Sequence, residues 1–425
     1  MAVLKQTLSM EQLELLMELI SKINSNLELD KLLREIMNSA KIIMNSEASS
    51  LFLLSDDKTE LTLTIPTGPV TADLSGKSIP SDQGLSGWVV QNAKPVVVED
   101  VQSDKRFVGE MNGNSTFKTR DLICVPLINN KGAVIGALQA INKKDAAQPT
   151  DDLVPIFQTM ANQAAIAIEN AKLQQERIEK ELMEKELDVA RTIQSGFWPK
   201  QVPDIPNYRI AGCSKPAKSV GGDYYDYIPI PGTNRWGFTV ADVTGKGVPA
   251  SLLMATMRAS LRSQVENNHS VSESIKKVNK LIFEDSPMDK FITAVYGELD
   301  TENHSFKYVN AGHNNPYLLN PEKSILKKLN VGGVMLGIMD GVDYNADSVT
   351  LEAGEKLILF SDGIPEAQNK TGEFFSDESF EEWLLEHKSL TPTQMMMNLL
   401  KTIENFSKGK PQSDDITLII IERCA

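Results

Sequence analysis

Gly237-Phe238-Thr239-Val240-Ala241-Asp242 and Leu357-Ile358-Leu359-Phe360-Ser361-Asp362 read alike: each is an apolar run that ends on a carboxylate. Short runs of this kind are strands covered on both faces, so each would hold its terminal aspartate rigidly at the edge of a core. Working outward, further strands are predicted at 208–213, 224–229, 291–299, 305–310 and 416–422. Helical spacing is predicted at 249–265, 271–283, 378–387 and 393–406. Strands and helices do not alternate as in βαβ units, which favours a layered α+β domain over a doubly wound one. Two more carboxylates flank strands of this half. Asp223 follows Gly221-Gly222, where glycines allow close backbone approach, and Asp414 or Asp415 stands just before Ile416-Thr417-Leu418. A single aspartate at a strand edge is usually a turn former. Four in one domain read as a site, because gathered carboxylates repel and need a cation. Hard oxygen donors without His or Cys select Mg²⁺ or Mn²⁺.

Composition narrows the chemistry. The 425 residues are too many for one ordinary core, and 41% hydrophobic with 24% charged residues describes soluble globular protein. The net charge of −14 argues against nucleic acid as a partner. The longest run without Asp, Glu, Lys or Arg is 153–168. It contains Gln158, Asn162 and Gln163, so no membrane span is expected, and the start MAVLKQTLSMEQ lacks a signal-peptide core. A cytoplasmic location is the expectation. Cys124, Cys213 and Cys424 are too few and too scattered for a disulfide framework or a CxxC metal site. The four histidines include no HExxH, so carboxylates must carry any chemistry. Thr244-Gly245-Lys246-Gly247 is not a phosphate-binding P-loop, because the GxxxxGK[ST] spacing is absent. His313 is isolated from other histidines and reads as a hydrogen-bonding or substrate-side residue.

In the front half, apolar residues at helical spacing over 11–44 predict two helices broken near 24–29. Strands follow at 48–54, 60–65, 95–98, 122–127 and 133–142, then a small-residue helix at 160–171. Residues 172–191 carry five basic and six acidic side chains without Gly or Pro. Ile168, Ala171, Ile178, Leu182 and Val189 step by threes and fours, while Gln175 and Lys185 interrupt the seam. This stretch is either a single solvated connector helix or a parallel coiled coil joining two protomers, and it should end within 195–203, ahead of Pro199.

Two families are resembled. Pro216-Ala217-Lys218-Ser219-Val220-Gly221-Gly222-Asp223-Tyr224-Tyr225-Asp226 resembles the first signature of the SpoIIE/RsbU branch of the PPM metal-dependent Ser/Thr protein phosphatases. Ala241-Asp242-Val243-Thr244-Gly245-Lys246-Gly247-Val248-Pro249-Ala250-Ser251 is similar to the second, and Asn310-Ala311-Gly312-His313-Asn314 to the third. Phe360-Ser361-Asp362-Gly363-Ile364-Pro365-Glu366-Ala367 and Asp414-Asp415-Ile416-Thr417 resemble the last two, in family order over 186–423. The resemblance implies an αββα sandwich with two Mn²⁺ or Mg²⁺ ions between the sheets. By position it makes Asp223, Asp242, Asp362 and Asp414 metal ligands, adds the Val243 carbonyl, and has Asp242 bridge the ions, with Asp242 and Asp362 the catalytic pair. It implies that a metal-activated water attacks the phosphate of a phosphoserine or phosphothreonine protein directly, with an anti-sigma-factor antagonist as the substrate type. Ser361 and Pro365 stand where threonines are commoner, and the phosphate-gripping arginine of eukaryotic members has no counterpart beyond Lys218.

Gly84-Leu85-Ser86-Gly87-Trp88-Val89-Val90, Lys94-Pro95-Val96-Val97-Val98-Glu99-Asp100-Val101, Asp104-Lys105-Arg106-Phe107, Leu122-Ile123-Cys124-Val125-Pro126-Leu127 and Val134-Ile135-Gly136-Ala137-Leu138-Gln139-Ala140-Ile141-Asn142-Lys143 look like a GAF domain over residues 13–171. Asn142-Lys143 with Asp151 partly matches the signature of cyclic-nucleotide-binding members. The GAF part is thus either an unliganded dimerisation domain or a sensor of a small ligand such as a cyclic nucleotide. The expected organisation is a GAF sensor or dimerisation domain at 1–171, a linker helix at 172–198 and a phosphatase domain at 199–425, in a homodimer. The competing reading is a non-catalytic GAF-containing scaffold that binds a phosphoprotein.

Overall fold

In a computed structural model of the chain, residues 29–68, 75–108, 117–144, 153–267, 269–287 and 289–424 are described. The first of the two helices expected within 11–44, and Asp151, lie outside them. The chain divides into two units, Met1–Glu181 and Leu182–Ala425.

The first unit is built on a six-stranded antiparallel sheet of order β3-β2-β1-β6-β5-β4. Its strands are β1 (Ser46–Leu54), β2 (Glu60–Thr67), β3 (Ser78–Pro80), β4 (Val96–Val98), β5 (Leu122–Ile128) and β6 (Val134–Lys143). On one face lie α1 (Leu29–Ile43) and the first turns of α3 (Val154–Ser195), closing a core that includes Leu33, Ile36, Leu51, Val125, Leu138 and Phe157. On the other face α2 (Gly84–Asn92) packs Leu85 and Val89 against Phe52, Leu63 and Cys124. The α2 segment mixes glycines with apolar residues and carries no helical stripe, so periodicity did not predict it.

The second unit has two five-stranded antiparallel sheets face to face. One has the order β14-β11-β10-β9-β8, the other β13-β12-β15-β16-β7. The strands are β7 (Tyr208–Lys215), β8 (Tyr224–Pro229), β9 (Arg235–Val243), β10 (Ile292–Asp300), β11 (Ser305–Ala311), β12 (Tyr317–Asn320), β13 (Ile325–Lys328), β14 (Asp347–Thr350), β15 (Lys356–Phe360) and β16 (Ile416–Arg423). Period-two side chains explain the layering. From β15 and β16, Leu357, Leu359, Ile419 and Ile421 meet Phe238, Val240 and Phe306 between the sheets. Their neighbours Ile358, Phe360, Leu418 and Ile420 face outward onto α6 (Asp377–Glu386) and α7 (Pro392–Phe406), through Phe380, Trp383, Met395 and Leu399. Ala241 and Val243 of β9 likewise face α4 (Val248–Glu266) and α5 (Val271–Asp285), through Met254, Met257, Leu261 and Ile275. Both faces of the inner strands are therefore buried, which is why they read as unbroken apolar runs, and the result is an αββα sandwich.

Candidate metal centre

Antiparallel pairing brings the four predicted carboxylates to strand ends. Asp223 immediately precedes β8 and Asp242 is the penultimate residue of β9; Tyr224 pairs with Ala241, so both lie at one end of the first sheet. Asp362 follows β15 by two residues and Asp414 precedes β16 by two, while Phe360 pairs with Leu418, so both lie at one end of the second. The two ends meet. Burial raises Asp242 to about 7, helped by the charges of Asp362, Asp414 and Asp415. Burial also lifts Asp362 to about 6, with Glu366 and Asp414 adding and Lys246 opposing. Asp223, only 2% exposed, is held well above the usual carboxylate range by burial and then by the charges of Asp242 and Asp415. The cluster is one of mutual repulsion in a dry place, as a cation site requires.

Asp414 and Asp415, open alternatives from sequence, have different work. Asp415 accepts the backbone N–H of Ala217 at 2.7 Å, of Gly222 at 2.7 Å and of Asp223 at 3.3 Å. It pins the loop that carries Asp223. That grip explains Gly221-Gly222: a Cβ on Gly221 would fall 2.3 Å from Asp415 Oδ2, and one on Gly222 would fall 2.8 Å from the Val243 carbonyl oxygen. Ser361, where a threonine was commoner, serves the same strand start. Its hydroxyl accepts from Thr417 N at 2.9 Å and donates to the Asp415 carbonyl at 3.2 Å. Asp414 is instead engaged by Lys246, whose ammonium donates to Asp414 Oδ2 at 2.8 Å and to the Ser413 carbonyl at 2.5 Å. Asp414 Oδ1 takes the Asp415 N–H at 2.9 Å.

His313 stands behind β9 and β10. Its Nδ1 is 2.8 Å from the hydroxyl of Thr293, the residue paired with Asp242, and burial holds the imidazole down to about 4, hence neutral. Lys218 is exposed.

Sequence reasoning missed Lys246 as a partner of the cluster and Gln194 altogether. Gln194, near the end of α3 and 3% exposed, donates to the Gly221 carbonyl at 2.7 Å and accepts the Gly221 N–H at 3.0 Å. The Gly-Gly signal was visible; a glutamine at the end of a charged helix gave no reason to look.

The donor set fits hard divalent ions. Oδ2 of Asp223 is buried without a hydrogen-bond partner, and the surrounding donors are carboxylate and carbonyl oxygens. As placed, no three His, Cys, Asp or Glu side chains among the described residues are arranged to hold one ion. Asp414 is engaged by Lys246 and Asp415 by backbone amides.

Comparison with known proteins agrees with the two units. Residues 232–424 match the family model of stage II sporulation protein E (SpoIIE), and residues 28–168 match that of the GAF domain. Asp223 lies upstream of the first match. The chain is 28% identical over 241 residues to the phosphoserine phosphatase RsbU of Bacillus subtilis (strain 168), covering 57% of this chain and 71% of that one. It is 31% identical over 169 residues to the dual 3',5'-cyclic-AMP and -GMP phosphodiesterase 11A of Takifugu rubripes, over 38% of this chain but 19% of that one. Its fold is similar to the SiaA-PP2C domain of Pseudomonas aeruginosa, with a TM-score of 0.51 at 21% identity over 57% of this chain and 98% of that one. The chain thus joins a GAF domain to a SpoIIE-type phosphatase domain of the PP2C fold.

Proposed function

We propose that the chain is a metal-dependent serine/threonine phosphoprotein phosphatase regulated through its GAF domain, with an anti-sigma-factor antagonist as the substrate type. The observation that carries this reading is the meeting of four carboxylates from both sheets at one mouth of the sandwich, where burial and then neighbouring carboxylate charge raise the proton affinity of Asp223, Asp242 and Asp362. Asp223, Asp242, Asp362, Asp414 and the Val243 carbonyl would hold the divalent ions, Mn²⁺ or Mg²⁺. Bound there, divalent ions would supply a water of lowered pKa and neutralise phosphoryl oxygens. The chain's own part is placement: Asp415 fixes the Asp223 loop, and the strand ends hold Asp242 and Asp362 against their mutual repulsion. RsbU, named a phosphoserine phosphatase, supports the substrate class. A scaffold that binds a phosphoprotein without hydrolysing it is favoured only by the engagement of Asp414 by Lys246.

On the regulatory side, the GAF unit has a partly open pocket of about 110 Å³ lined by Phe52, Leu63, Phe107 and the Gln139–Ser86 hydrogen bond of 2.6 Å. That is below the roughly 300–1,000 Å³ of ordinary ligand sites, so a cyclic nucleotide would need the walls to part. Dimerisation is supported by α3, where Ile178, Leu182 and Val189 are 44%, 56% and 61% exposed on a single chain.

The test is turnover of p-nitrophenyl phosphate with Mn²⁺. Hydrolysis that disappears with chelator, and falls by at least about a hundredfold in Asp242→Asn and Asp362→Asn, is expected. Equal rates in both variants would refute the site. Mn²⁺ bound without turnover points to a competent centre held off by the GAF unit; neither binding nor turnover would support the scaffold.

A further inference from the structure

Beside the carboxylate cluster lies a cleft of about 310 Å³ whose wall includes Gly363, next to Asp362, and Ser413, next to Asp414. Lys215, Lys408 and Lys410 line it, against one acidic side chain, Glu404. Three ammonium groups to one carboxylate is a local reversal in a chain of net charge −14. The cleft is tied to the centre: Gln412 donates to the Lys215 carbonyl at 2.8 Å and to the Asp414 carbonyl at 2.7 Å. Lys215 closes β7 opposite Ile416, two residues beyond Asp414. Lys410 is steadied by a hydrogen bond from its ammonium to Gln368 Oε1, while Lys215 and Lys408 are exposed.

We infer that this cleft binds acidic residues flanking the phosphorylated serine or threonine of the substrate, an inference that rests on the phosphatase reading above. A phosphoprotein segment with acidic flanks approaching a chain of net charge −14 is repelled unless positive charge stands where its flanks pass. The lysines supply that charge beside the centre. The apolar floor, from Leu400, Ile403 and Ile416, accommodates the aliphatic parts of a peptide. Recognition by charge on flexible lysines predicts preference for acidic flanks without a demand for one sequence.

The experiment uses the full chain with Mn²⁺ and fluorescein-labelled peptides of equal length. Each carries a non-hydrolysable phosphonate analogue of phosphoserine, flanked in one by glutamates and in the other by glutamines. Fluorescence anisotropy should give about tenfold tighter binding of the glutamate peptide at low salt, the sum of several exposed ion pairs. The preference should shrink near 1 M salt, where the screening length is about 3 Å. A triple variant Lys215→Gln, Lys408→Gln, Lys410→Gln should lose it, while Lys307→Gln, Lys323→Gln, Lys327→Gln, equal in charge but away from the cleft, should keep it. Equal binding of the two peptides, no binding of either, or a preference that survives the cleft variant or falls equally in the control variant overturns the inference. p-Nitrophenyl phosphate turnover, which has no flanks, is read on the same wild-type preparation. With the preference intact, a dead reaction in a preparation that binds no Mn²⁺ faults the phosphatase reading; live turnover without the preference faults the cleft.

Discussion

Asp414 and Asp223 mark two states of a carboxylate in one cluster. Asp223 has a buried oxygen with no partner, whereas both oxygens of Asp414 are already taken, one by an ammonium. On the proposed ligand set, a divalent ion at Asp414 would compete with the Lys246 ammonium for Oδ2 and be repelled by its charge. Lys246→Met should tighten Mn²⁺ binding by about tenfold, the effect of removing one charge a few ångströms from a doubly charged ion at a partly exposed site. Lys246→Arg should stay near wild type. Titration calorimetry reads this without reference to turnover. Weaker binding in Lys246→Met would mean that the lysine orders Asp414 rather than competing for it. At this scale the sequence carried the candidates but not their orientations. Asp414 and Asp415 both lie close enough to Asp242 to act on its charge, and only the fold shows that it is Asp415 that grips the Asp223 loop.

At the scale of elements, legibility followed burial. The long inner strands are covered on both faces and announced themselves as apolar runs. The short edge strands β3, β13 and β14 are mostly exposed and polar, and left no pattern to read. The end of α3 is another element whose role is hidden in sequence: it stops at Ser195, within the predicted window, but the one buried residue of its last turn, Gln194, grips the Asp223 loop. Two buried backbone groups of Gly221 depend on that one side chain, and leaving them unpaired costs about 1–3 kcal/mol. Gln194→Leu keeps the bulk and removes both bonds. It should lower the melting temperature by a few degrees, speed amide hydrogen exchange at residues 219–224, and weaken Mn²⁺ binding by several-fold. Unchanged exchange over 219–224, with binding intact, would show that Asp415 alone holds the loop.

For the whole molecule, the bearing fact is that one helix of 42 residues, α3, contributes to both units: its first turns close the GAF core and its last residue but one reaches Gly221. Between them, Leu173, Ile178, Leu182, Met183 and Val189 are all more than 40% exposed. An exposed apolar series on an otherwise charged helix is what a partner helix would cover, and the interruptions at Gln175 and Lys185 would make such a pair weak enough to shift. We propose that two copies pair along α3, and that the GAF domain acts by changing the register or pitch of the pair. Because Gln194 sits on the same helix, rotation there is rotation at the Asp223 loop, which gives the proposed signal a mechanical terminus. Replacing residues 1–171 with a parallel leucine zipper, fused ahead of residue 172 in each register of one heptad, isolates the idea. Activity towards p-nitrophenyl phosphate should rise and fall with register by at least about fivefold, the lower end of ordinary allosteric coupling. Gln194→Leu placed in the most active fusion should flatten that dependence, because the helix would turn without carrying the loop. Activity independent of register would leave α3 a plain connector and require the GAF signal to reach the phosphatase domain by another route.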